Sequence, residues 1–424
     1  MTNSAKCPFT NLLDPTLIAN GVPEKIFAEV REAGPAVKIE DPITGVPYWA
    51  VTQKEGIDFV SMHNELFSSA LRAATPMEDP QETVDNIMGK MFLNMDPPLN
   101  LEYRKLIRDN FLPGTVATYQ EKAERVAKEV IDAVIDRGEC EFVEDVAAEL
   151  PLITILEFFN IPTDQRKQFF DWTNDMFFQD DPAFSDADRQ GAESRALDAS
   201  ANVFMTFMGL ATEWRGRPEK NLCTQLLNGE IRGEPVSDED FAWIALMLMS
   251  AGNESTRTAI THGMRNLMEN PEQYRFLQEH PEALDDAVEE MLRKNTSFIT
   301  MRRTATQDVC APELGNADIK KGDKVVMFYH ASNNDPRLFG EDATQFDLTR
   351  PKRQSDFKAN VRSFGIGKHN CLGMHLAKLE MKVQLAEILK RMDNPQFSGP
   401  VTYIHSYFVQ GIRSMPITFT KRGE

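Results

Sequence analysis

The sequence predicts a mainly α protein with a minor β portion, an α+β fold organised around one long central helix. From about residue 100 to 300 the chain places apolar residues at i, i+3, i+4 and i+7, the spacing of amphipathic helices. Strand-like runs of β-branched and aromatic residues occur nearer the two ends, as in PYWAVT (47–52) and DKVVMFYH (323–330). Because both ends supply strands, we expect distant parts of the chain to share the β portion.

The same pattern predicts the domain organisation. The chain has no internal repeat, no low-complexity segment and no linker rich in glycine, serine or proline. We therefore predict one domain over residues 1–424. Its β-rich part is drawn from roughly 35–65 and 300–424, and its helical part covers roughly 80–300.

Composition and charge exclude several classes of partner. The 424 residues include 46 basic and 65 acidic side chains, and the net charge of −19 argues against nucleic acid or an anionic membrane. The longest apolar run, FAWIALMLMSAG (241–252), is shorter than the roughly 20 residues that cross a bilayer. The five cysteines are widely spaced and the first residues lack an apolar signal core. We therefore expect a soluble, cytoplasmic monomer without disulfides or membrane contact.

The central helix is predicted to begin at Ser237, which forms a capping box with Asp240, and to run for about 30 residues. Its middle contains AGNEST (251–256), where Gly252 costs about 1 kcal/mol relative to alanine and Glu254 adjoins an apolar run. Such a conflict favours a functional groove opened by a bulge in the helix. A surface glycine beside a solvated glutamate would give the same pattern.

A glycine-rich loop, SFGIGKHNCLG (363–373), presents Cys371 directly before another predicted helix. A buried structural cysteine does not need so much backbone freedom around it. A cysteine that presents its sulfur to a bulky, electron-poor group does need it. The loop therefore indicates a functional thiol.

Three separated motifs resemble the cytochrome P450 monooxygenases. The loop matches the family's haem-binding signature, phenylalanine–glycine–x–glycine–x–(His/Arg)–x–cysteine–x–glycine, at every fixed position from Phe364 to Gly373. Glu290 and Arg293 resemble the family's E-x-x-R pair, and FDLTR (346–350) supplies the arginine that completes the triad. AGNEST is similar to the oxygen-binding stretch of the family's long helix. The resemblance covers nearly the whole chain and implies the cytochrome P450 fold, with a Cys-ligated haem between helices.

The resemblance implies haem b (iron protoporphyrin IX) as the cofactor, with Cys371 as its metal-binding axial thiolate. The glycines of the loop would let backbone amides point at the sulfur and let the porphyrin lie flat against the loop. The two propionates need cationic or hydrogen-bonding partners, and many relatives have a histidine where Asn100 stands. The implied cofactor-binding residues are Arg104, Asn100, Arg303, His369, Ala251, Gly252, Phe364, Gly365 and Gly373.

The resemblance also implies a route for protons. Relatives usually carry an acid followed by threonine, and this acid–alcohol pair relays protons to dioxygen; here Glu254 is followed by Ser255 and then Thr256. A serine hydroxyl can serve, although it lacks the methyl group that restricts the rotamers of threonine. We expect Glu254 and Ser255 to be catalytic, with Thr256 as the alternative alcohol about 100° further round the helix.

The substrate pocket carried over from the family contains no charged residue, which favours an apolar substrate. The aromatic stretch FFDWTNDMFFQDDPAF (169–184) would form its roof. Aromatic and methionine side chains at helical spacing are also the ordinary filling of a protein core, and this alternative stays open. The predicted pocket residues are Met247, Ser250, Phe298, Ile299, Phe408 and Val409.

The resemblance therefore implies a haem-thiolate monooxygenase that hydroxylates a C–H bond of a terpenoid, a steroid side chain or an alkyl chain. It would use O2 and two NAD(P)H-derived electrons, delivered by a ferredoxin-type donor and its reductase, since the chain has no flavin or iron–sulfur motif. A basic patch could receive that donor. The residues predicted to form it are Arg104, Lys105, Arg108, Arg362 and Lys368.

Two alternatives remain at the level of sequence. One is a peroxide-driven or dehydrating haem-thiolate enzyme, a branch in which the acid–alcohol pair is altered. The other is a haem-thiolate sensor without turnover, against which Glu254 and the long oxygen-groove helix argue, because a sensor has no use for a proton relay.

Overall fold

The computed structural model describes residues 9–178, 181–182 and 189–423. The α-helices are α1 Glu24–Ala33, α2 Lys54–Met62, α3 Gln81–Asn86, α4 Leu99–Arg108, α5 Pro113–Ala117, α6 Gln120–Ile135, α7 Glu149–Phe158, α8 Arg166–Phe177, α9 Arg189–Trp214, α10 Leu222–Leu227, α11 Asp238–Glu269, α12 Pro271–Glu279, α13 Leu284–Lys294, α14 Tyr329–Asn333, α15 Pro336–Phe339, α16 Arg350–Arg353, α17 Phe357–Asn360 and α18 Met374–Arg391. The strands are β1 Ala36–Ile39, β2 Tyr48–Val51, β3 Phe67–Ser68, β4 Glu139–Glu141, β5 Glu230–Ile231, β6 Glu234–Pro235, β7 Thr300–Ala305, β8 Lys324–Phe328, β9 Met392–Phe397, β10 Thr402–Tyr403, β11 Ile412–Ser414 and β12 Pro416–Lys421.

The long central helix is α11, and it begins where the sequence predicted. The Ser237 side chain accepts from the Asp240 amide at 3.0 Å, and the Asp240 carboxylate accepts in return, so the capping box is confirmed. The helix runs for 32 residues without interruption through 251–256, so the expected bulge is absent there. It packs against α7, α9 and α18. None of the helices in the described ranges is long and apolar enough to cross a membrane.

The largest sheet combines strands from distant parts of the chain, in the order β1-β2-β8-β7-β3. β2 pairs in parallel with β8, and the other neighbours are antiparallel. The predicted run 323–330 forms β8 only as far as Phe328, because the chain turns into α14 at Tyr329. A second sheet, β4-β12-β9, joins the C-terminal strand to residues 139–141.

A buried ion cluster joins α13 to the segment after α15. Arg293 Nε lies 2.7 Å from Glu290 Oε2, and Arg350 Nε lies 3.2 Å from Glu290 Oε1. All three side chains are fully buried. The remaining guanidinium donors of Arg293 bind the main-chain oxygens of Asn333 and Ala343, each at 2.7 Å. The predicted E-x-x-R triad is therefore confirmed as a set of contacts that fastens the segment leading to the cysteine loop.

Candidate active site

The glycine-rich loop delivers the Cys371 sulfur to a large internal cavity. The Cys371 amide donates to Phe364 O at 2.8 Å and closes the loop, while the sulfur is open to the cavity although it lies deep within the protein. Burial raises the pKa of the Cys371 thiol, whereas the amides of Gly373 and Met374, hydrogen-bonded to the sulfur, and the cation of Arg104 lower it. These donors suit a thiolate that ligates a metal.

Two glycines of the loop have backbone conformations that other residues rarely adopt. Gly365 has φ 67° and Gly367 has φ 77°, and a Cβ on Gly367 would lie 2.8 Å from the main-chain oxygen of Ser61. Gly373 differs, because its φ of −78° is open to any residue. The loop thus uses the conformational freedom of two glycines, not of three.

The cavity has a volume of about 950 Å³, within the range of sites that enclose a small molecule or cofactor. It lies between the cysteine loop and α18 on one side and the middle of α11 on the other. Predicted cofactor-binding residues from four separate parts of the chain line it. These are Arg104, Ala251, Gly252, Arg303, Phe364, Gly365, His369 and Gly373.

Two arginines bring positive charge to the cavity. Arg303 is buried, its Nη1 donates to Arg302 O at 2.7 Å, and its Nε has no hydrogen-bond partner among the described residues. Arg104 donates to Asn370 O at 2.6 Å and lies half-buried beside the cysteine loop. Burial lowers the pKa of both guanidinium groups. Buried cations without a carboxylate at hydrogen-bonding distance fit a cofactor that carries anionic groups, as a haem with its propionates does.

His369 and Asn100 differ in their access to the cavity. His369 lines it, and burial together with the cations of Arg303 and Arg104 lowers its pKa to about 3, so the ring is neutral at physiological pH. Asn100 is fully buried behind that ring, with its Nδ2 3.4 Å from His369 Nε2, and it does not line the cavity. Asn100 therefore contacts His369 and does not reach the cavity wall, and its contact with the cofactor stays a prediction.

The middle of α11 turns Ser255 and Thr256 to the cavity but turns Glu254 away from it. The Ser255 hydroxyl donates to Ala251 O at 2.8 Å, which ties it to its own helix and leaves its oxygen free to accept. Since Ser255 and Thr256 both line the cavity, either alcohol can meet a bound group. Of the predicted acid–alcohol pair, the alcohol lies at the cavity wall and the acid does not, and their role in proton delivery stays a prediction.

The Glu254 carboxylate is fully buried on the side of α11 that faces α8. It forms an ion pair with Arg257 and accepts from Thr258 Oγ1 at 3.1 Å. Arg257 in turn donates to Asn174 Oδ1 at 3.0 Å and stacks over the ring of Phe170, 5.1 Å from its centroid. Burial raises the pKa of Glu254, whereas the Arg257 cation and hydrogen bond lower it. The acid is therefore held by its own helix, and its partner Arg257 is held in turn by α8, which the sequence did not indicate.

The predicted pocket residues divide into cavity-facing and core-facing sets. Met247, Ser250, Phe298 and Phe408 line the cavity. Ile299 and Val409 are buried and do not line the cavity, although each directly follows a phenylalanine that does. Their contact with a substrate stays a prediction.

The predicted roof is formed in part by α8. Met176 and Phe177 line the cavity, whereas Phe169 is buried in the core and packs on Trp172 with ring centroids 5.2 Å apart. Residues 179–180 and 183–184 of the predicted roof lie outside the described residues. The aromatic stretch therefore divides between core and cavity.

Among the cavity residues that sequence reasoning missed, one is a buried acid. Glu380 of α18 is fully buried, reaches the cavity beside Thr154, and shares a hydrogen bond with that hydroxyl. Burial raises its pKa to about 8. Its signal in the sequence was an acid on an apolar helical stripe, between Leu376 at i−4 and Val383 at i+3.

Replacing Glu380 with glutamine should change how stability depends on pH. Between pH 4.5 and about 8 the carboxyl is ionised in the unfolded chain but protonated in the folded one. Raising the pH therefore costs the wild-type protein up to about 1.4 kcal/mol per unit in that window. We expect Glu380→Gln to gain stability relative to wild type as the pH rises from 5 to 8, measured by urea unfolding. Glu387→Gln on the same helix should show no such gain. If the free energy of unfolding of Glu380→Gln follows the same pH dependence as that of wild type, the result would contradict the burial of this acid.

Comparisons with known proteins agree on one family. The family model for cytochrome P450 matches residues 211–395. The steroid C26-monooxygenase of Mycolicibacterium smegmatis is 31% identical over 422 residues, covering 98% of this chain and 94% of that protein. The linalool 8-monooxygenase of Pseudomonas putida is also 31% identical, and the alignment covers 97% of this chain and 99% of that protein.

Solved structures are similar over the same extent. A Mycobacterium marinum cytochrome P450 in complex with pseudoionone has a TM-score of 0.86 and 30% identity, and the alignment covers 98% of this chain and all of that one. In the comparison of sequences, a methyl-branched lipid omega-hydroxylase of Mycobacterium tuberculosis is also similar, with 29% identity over 96% of this chain and 94% of that protein. The likeness therefore spans the entire fold and is not confined to the cysteine loop.

Proposed function

The chain belongs to the cytochrome P450 family, and from that premise we propose that this monooxygenase hydroxylates the side chain or terminus of a terpenoid, a steroid or a branched alkyl lipid. The observation that carries the proposal is the apolar part of the wall of the cavity that Cys371 reaches, to which Met247, Phe298 and Phe408 contribute. Such a wall holds a hydrocarbon by burial of apolar surface and offers no ion pair to orient a charged one. Relatives named for linalool, for a steroid and for a methyl-branched lipid support this class.

The residues that would hold the haem lie on three sides of the cavity. Cys371 would supply the axial sulfur, and Arg104, Arg303 and the neutral His369 would bind the propionates. Haem ligated by a cysteine thiolate supplies the electron density that favours cleavage of the O–O bond. The amides of the loop favour the ionised sulfur, because each hydrogen bond to a thiolate lowers its pKa, and they offset part of the rise that burial causes.

Protons would reach the cavity through the alcohols of α11. The Ser255 oxygen can accept a proton from water and pass on the one it holds, provided its bond to Ala251 O is exchanged during transfer. Thr256 offers a second hydroxyl at the same wall. Glu254 would act at one remove, through water, because its carboxylate is directed at Arg257. Ser255 is therefore the direct donor in this proposal and Glu254 its source.

Ser255→Ala should leave substrate binding intact and uncouple the reaction. Without the hydroxyl, protons arrive late, so reducing equivalents should leave as hydrogen peroxide. Product per NADH should fall by about 10-fold, less than the roughly 10²–10⁴-fold typical of a positioned proton donor, because Thr256 offers a second hydroxyl. The measurement is peroxide and product per NADH, together with the amplitude of the substrate-induced spin shift. Ser255→Thr should couple at least as well as the parent. Unchanged coupling in Ser255→Ala would move the role to Thr256.

Electrons would arrive from a separate ferredoxin-type carrier at the face of the molecule next to the cysteine loop. The structure corrects the membership of the predicted basic patch there. Arg362 is buried and bound to Asp58 with Nη2 and Oδ2 2.7 Å apart, and Arg104 is directed at the cavity and Asn370. The exposed cations that remain are Lys105, Arg108 and Lys368.

Charge reversal at Lys105 should weaken the encounter with the carrier without changing substrate binding. Lys105→Glu should raise the apparent KM for a ferredoxin several-fold at low salt, because rim charges act mainly on association, and the effect should shrink as the Debye length falls from ~10 Å at 0.1 M to ~3 Å at 1 M salt. Lys167→Glu, on the roof helix α8, is the matched control. Equal rates for both variants and salt-independent reduction would place the docking site elsewhere.

A spectral screen tests the substrate class. The holoenzyme would be titrated with linalool, cholest-4-en-3-one, a methyl-branched fatty acid and a small aromatic compound, and the spin-state change of the haem recorded. We expect micromolar responses from the first three, followed by hydroxylated product with a surrogate ferredoxin and reductase. A response to the aromatic compound alone would overturn the proposed class. Product formed only with added peroxide would favour the peroxide-driven alternative.

A further inference from the structure

Two extended segments bring a pair of aromatic rings to the cavity wall. Ile299 N donates to Phe408 O at 2.8 Å and Gln410 N donates to Ser297 O at 2.9 Å. These two bonds pair the segment before β7 with the segment before β11. The rings of Phe298 and Phe408 meet with centroids 4.9 Å apart and both line the cavity. The positions of the two rings therefore depend on where these paired segments are attached to the rest of the protein.

The first attachment joins the paired segments to the turn of α11 that contains Ser255. Ser297 Oγ donates to the main-chain oxygen of Ser255 at 2.7 Å. Ser255 is the residue whose own hydroxyl faces the cavity and binds Ala251 O. A shift of Phe298 would therefore displace the turn of α11 that carries the Ser255 hydroxyl, because Ser297 precedes Phe298 and binds that turn.

The second attachment lies two turns further along α11. His262 Nε2 is 2.7 Å from Gln410 O, and because a carbonyl oxygen only accepts, Nε2 carries the hydrogen. The ring is buried, its Nδ1 has no partner within the described part of the chain, and burial, reinforced by Arg265, lowers its pKa to about 3. Positions seven residues apart lie on the same face of a helix, so Ser255 and His262 hold the segments along one line.

We propose that Ser297 and His262 are positioning residues that suspend the Phe298–Phe408 pair from α11 at two points and thereby select which substrate carbon is hydroxylated. The suspension is rigid because the His262 bond is buried and the Ser297 bond is partly buried, so opening either one leaves a main-chain oxygen with little access to water and without its side-chain donor. The aromatic pair and the Ser255 turn then move as one body. This assignment rests on the proposed function for its effect on products, but not for the attachment itself.

Hydrogen exchange and product distribution test the two parts separately. The variants are Ser297→Ala and His262→Phe, with Thr261→Val as control, since the Thr261 hydroxyl is buried next to His262 but binds only its own helix at Arg257 O, 2.8 Å away. In the holoenzymes, amide exchange over residues 405–411 should become roughly two- to tenfold faster in both variants and stay unchanged in the control, as expected for one lost buried hydrogen bond. With linalool, the ratio of hydroxylated positions should change at least about twofold in both variants.

The outcomes are distinct. Wild-type exchange over 405–411 in Ser297→Ala, or equal acceleration in Thr261→Val, would overturn the suspension even if His262→Phe does not fold. Faster exchange with an unchanged ratio of products would overturn the role in positioning the substrate. If the wild-type enzyme makes no product from linalool, that counts against the proposed substrate class, while hydrogen exchange still decides the attachment.

Discussion

Replacing Cys371 with histidine should abolish the strongly red-shifted Soret band of the ferrous–CO complex and reduce monooxygenase turnover to background. The substitution removes the one cysteine sulfur that the described residues bring to the cavity. The amides of Gly373 and Met374, which favour a thiolate, then have no anion to stabilise. The CO difference spectrum of the purified holoenzyme is the direct measurement.

The other cysteines are the controls. Burial raises the pKa of Cys140 to about 12 and that of Cys223 to about 11, so both stay thiols and neither lines the cavity. Cys310 is exposed, and Cys7 lies outside the described residues. Each changed singly to serine or alanine should retain the band, and loss of the band in any of them would mean that the ligand is assigned wrongly.

Replacing Glu290 with glutamine should be the most destabilising of the single substitutions considered. It leaves the guanidinium groups of Arg293 and Arg350 buried with the shared carboxylate gone, and breaking a buried ion pair in this way costs about 3–5 kcal/mol. We expect little soluble holoenzyme, and for what folds a lower urea midpoint with an unchanged CO spectrum. That spectrum separates a structural role from a role in ligating the haem.

The neighbouring acid provides the matched comparison. Glu289 pairs with Lys378 at 2.7 Å and lies nearer the surface, so Glu289→Gln should cost no more than about 1 kcal/mol. If Glu290→Gln and Glu289→Gln have similar urea midpoints, the buried triad is not what fastens the segment before the cysteine loop.

The fold and the placement of Cys371 at the cavity were predictable because their signals are local and redundant. The capping box at Ser237 and the glycines at 365 and 367 each solve a backbone problem within a few residues. The confirmed triad of Glu290, Arg293 and Arg350 was predictable only through the resemblance, since an i, i+3 ion pair is common on any helix surface.

The sequence did not indicate the direction of these side chains, which long-range packing decides. Ile299 and Val409 are buried and do not line the cavity, whereas the phenylalanines that precede them do. The Glu254 carboxylate pairs with Arg257, which in turn donates to Asn174 of α8. Nothing within AGNEST indicates the contact with Asn174, because that residue lies some 80 positions away in the sequence.

Charge was also misjudged where burial depends on distant partners. Arg362 reads as a surface cation beside the loop, yet Asp58 from α2 neutralises it inside the protein. Glu380 reads as one more acid on a charged helix, yet its neighbours across the cavity desolvate it. Both outcomes follow from contacts between residues far apart in sequence, which a single sequence does not reveal.

The origin of the inserted oxygen tests the account most directly. The compound that gives the largest spin shift would be turned over with ferredoxin, reductase and NADH under ¹⁸O₂ in ordinary water, and the product analysed by mass spectrometry. We predict one ¹⁸O atom in each hydroxylated product, with its amount falling to background in Cys371→His. A product oxygen that comes from water, or a bound compound that is never hydroxylated while electrons are consumed, would contradict it.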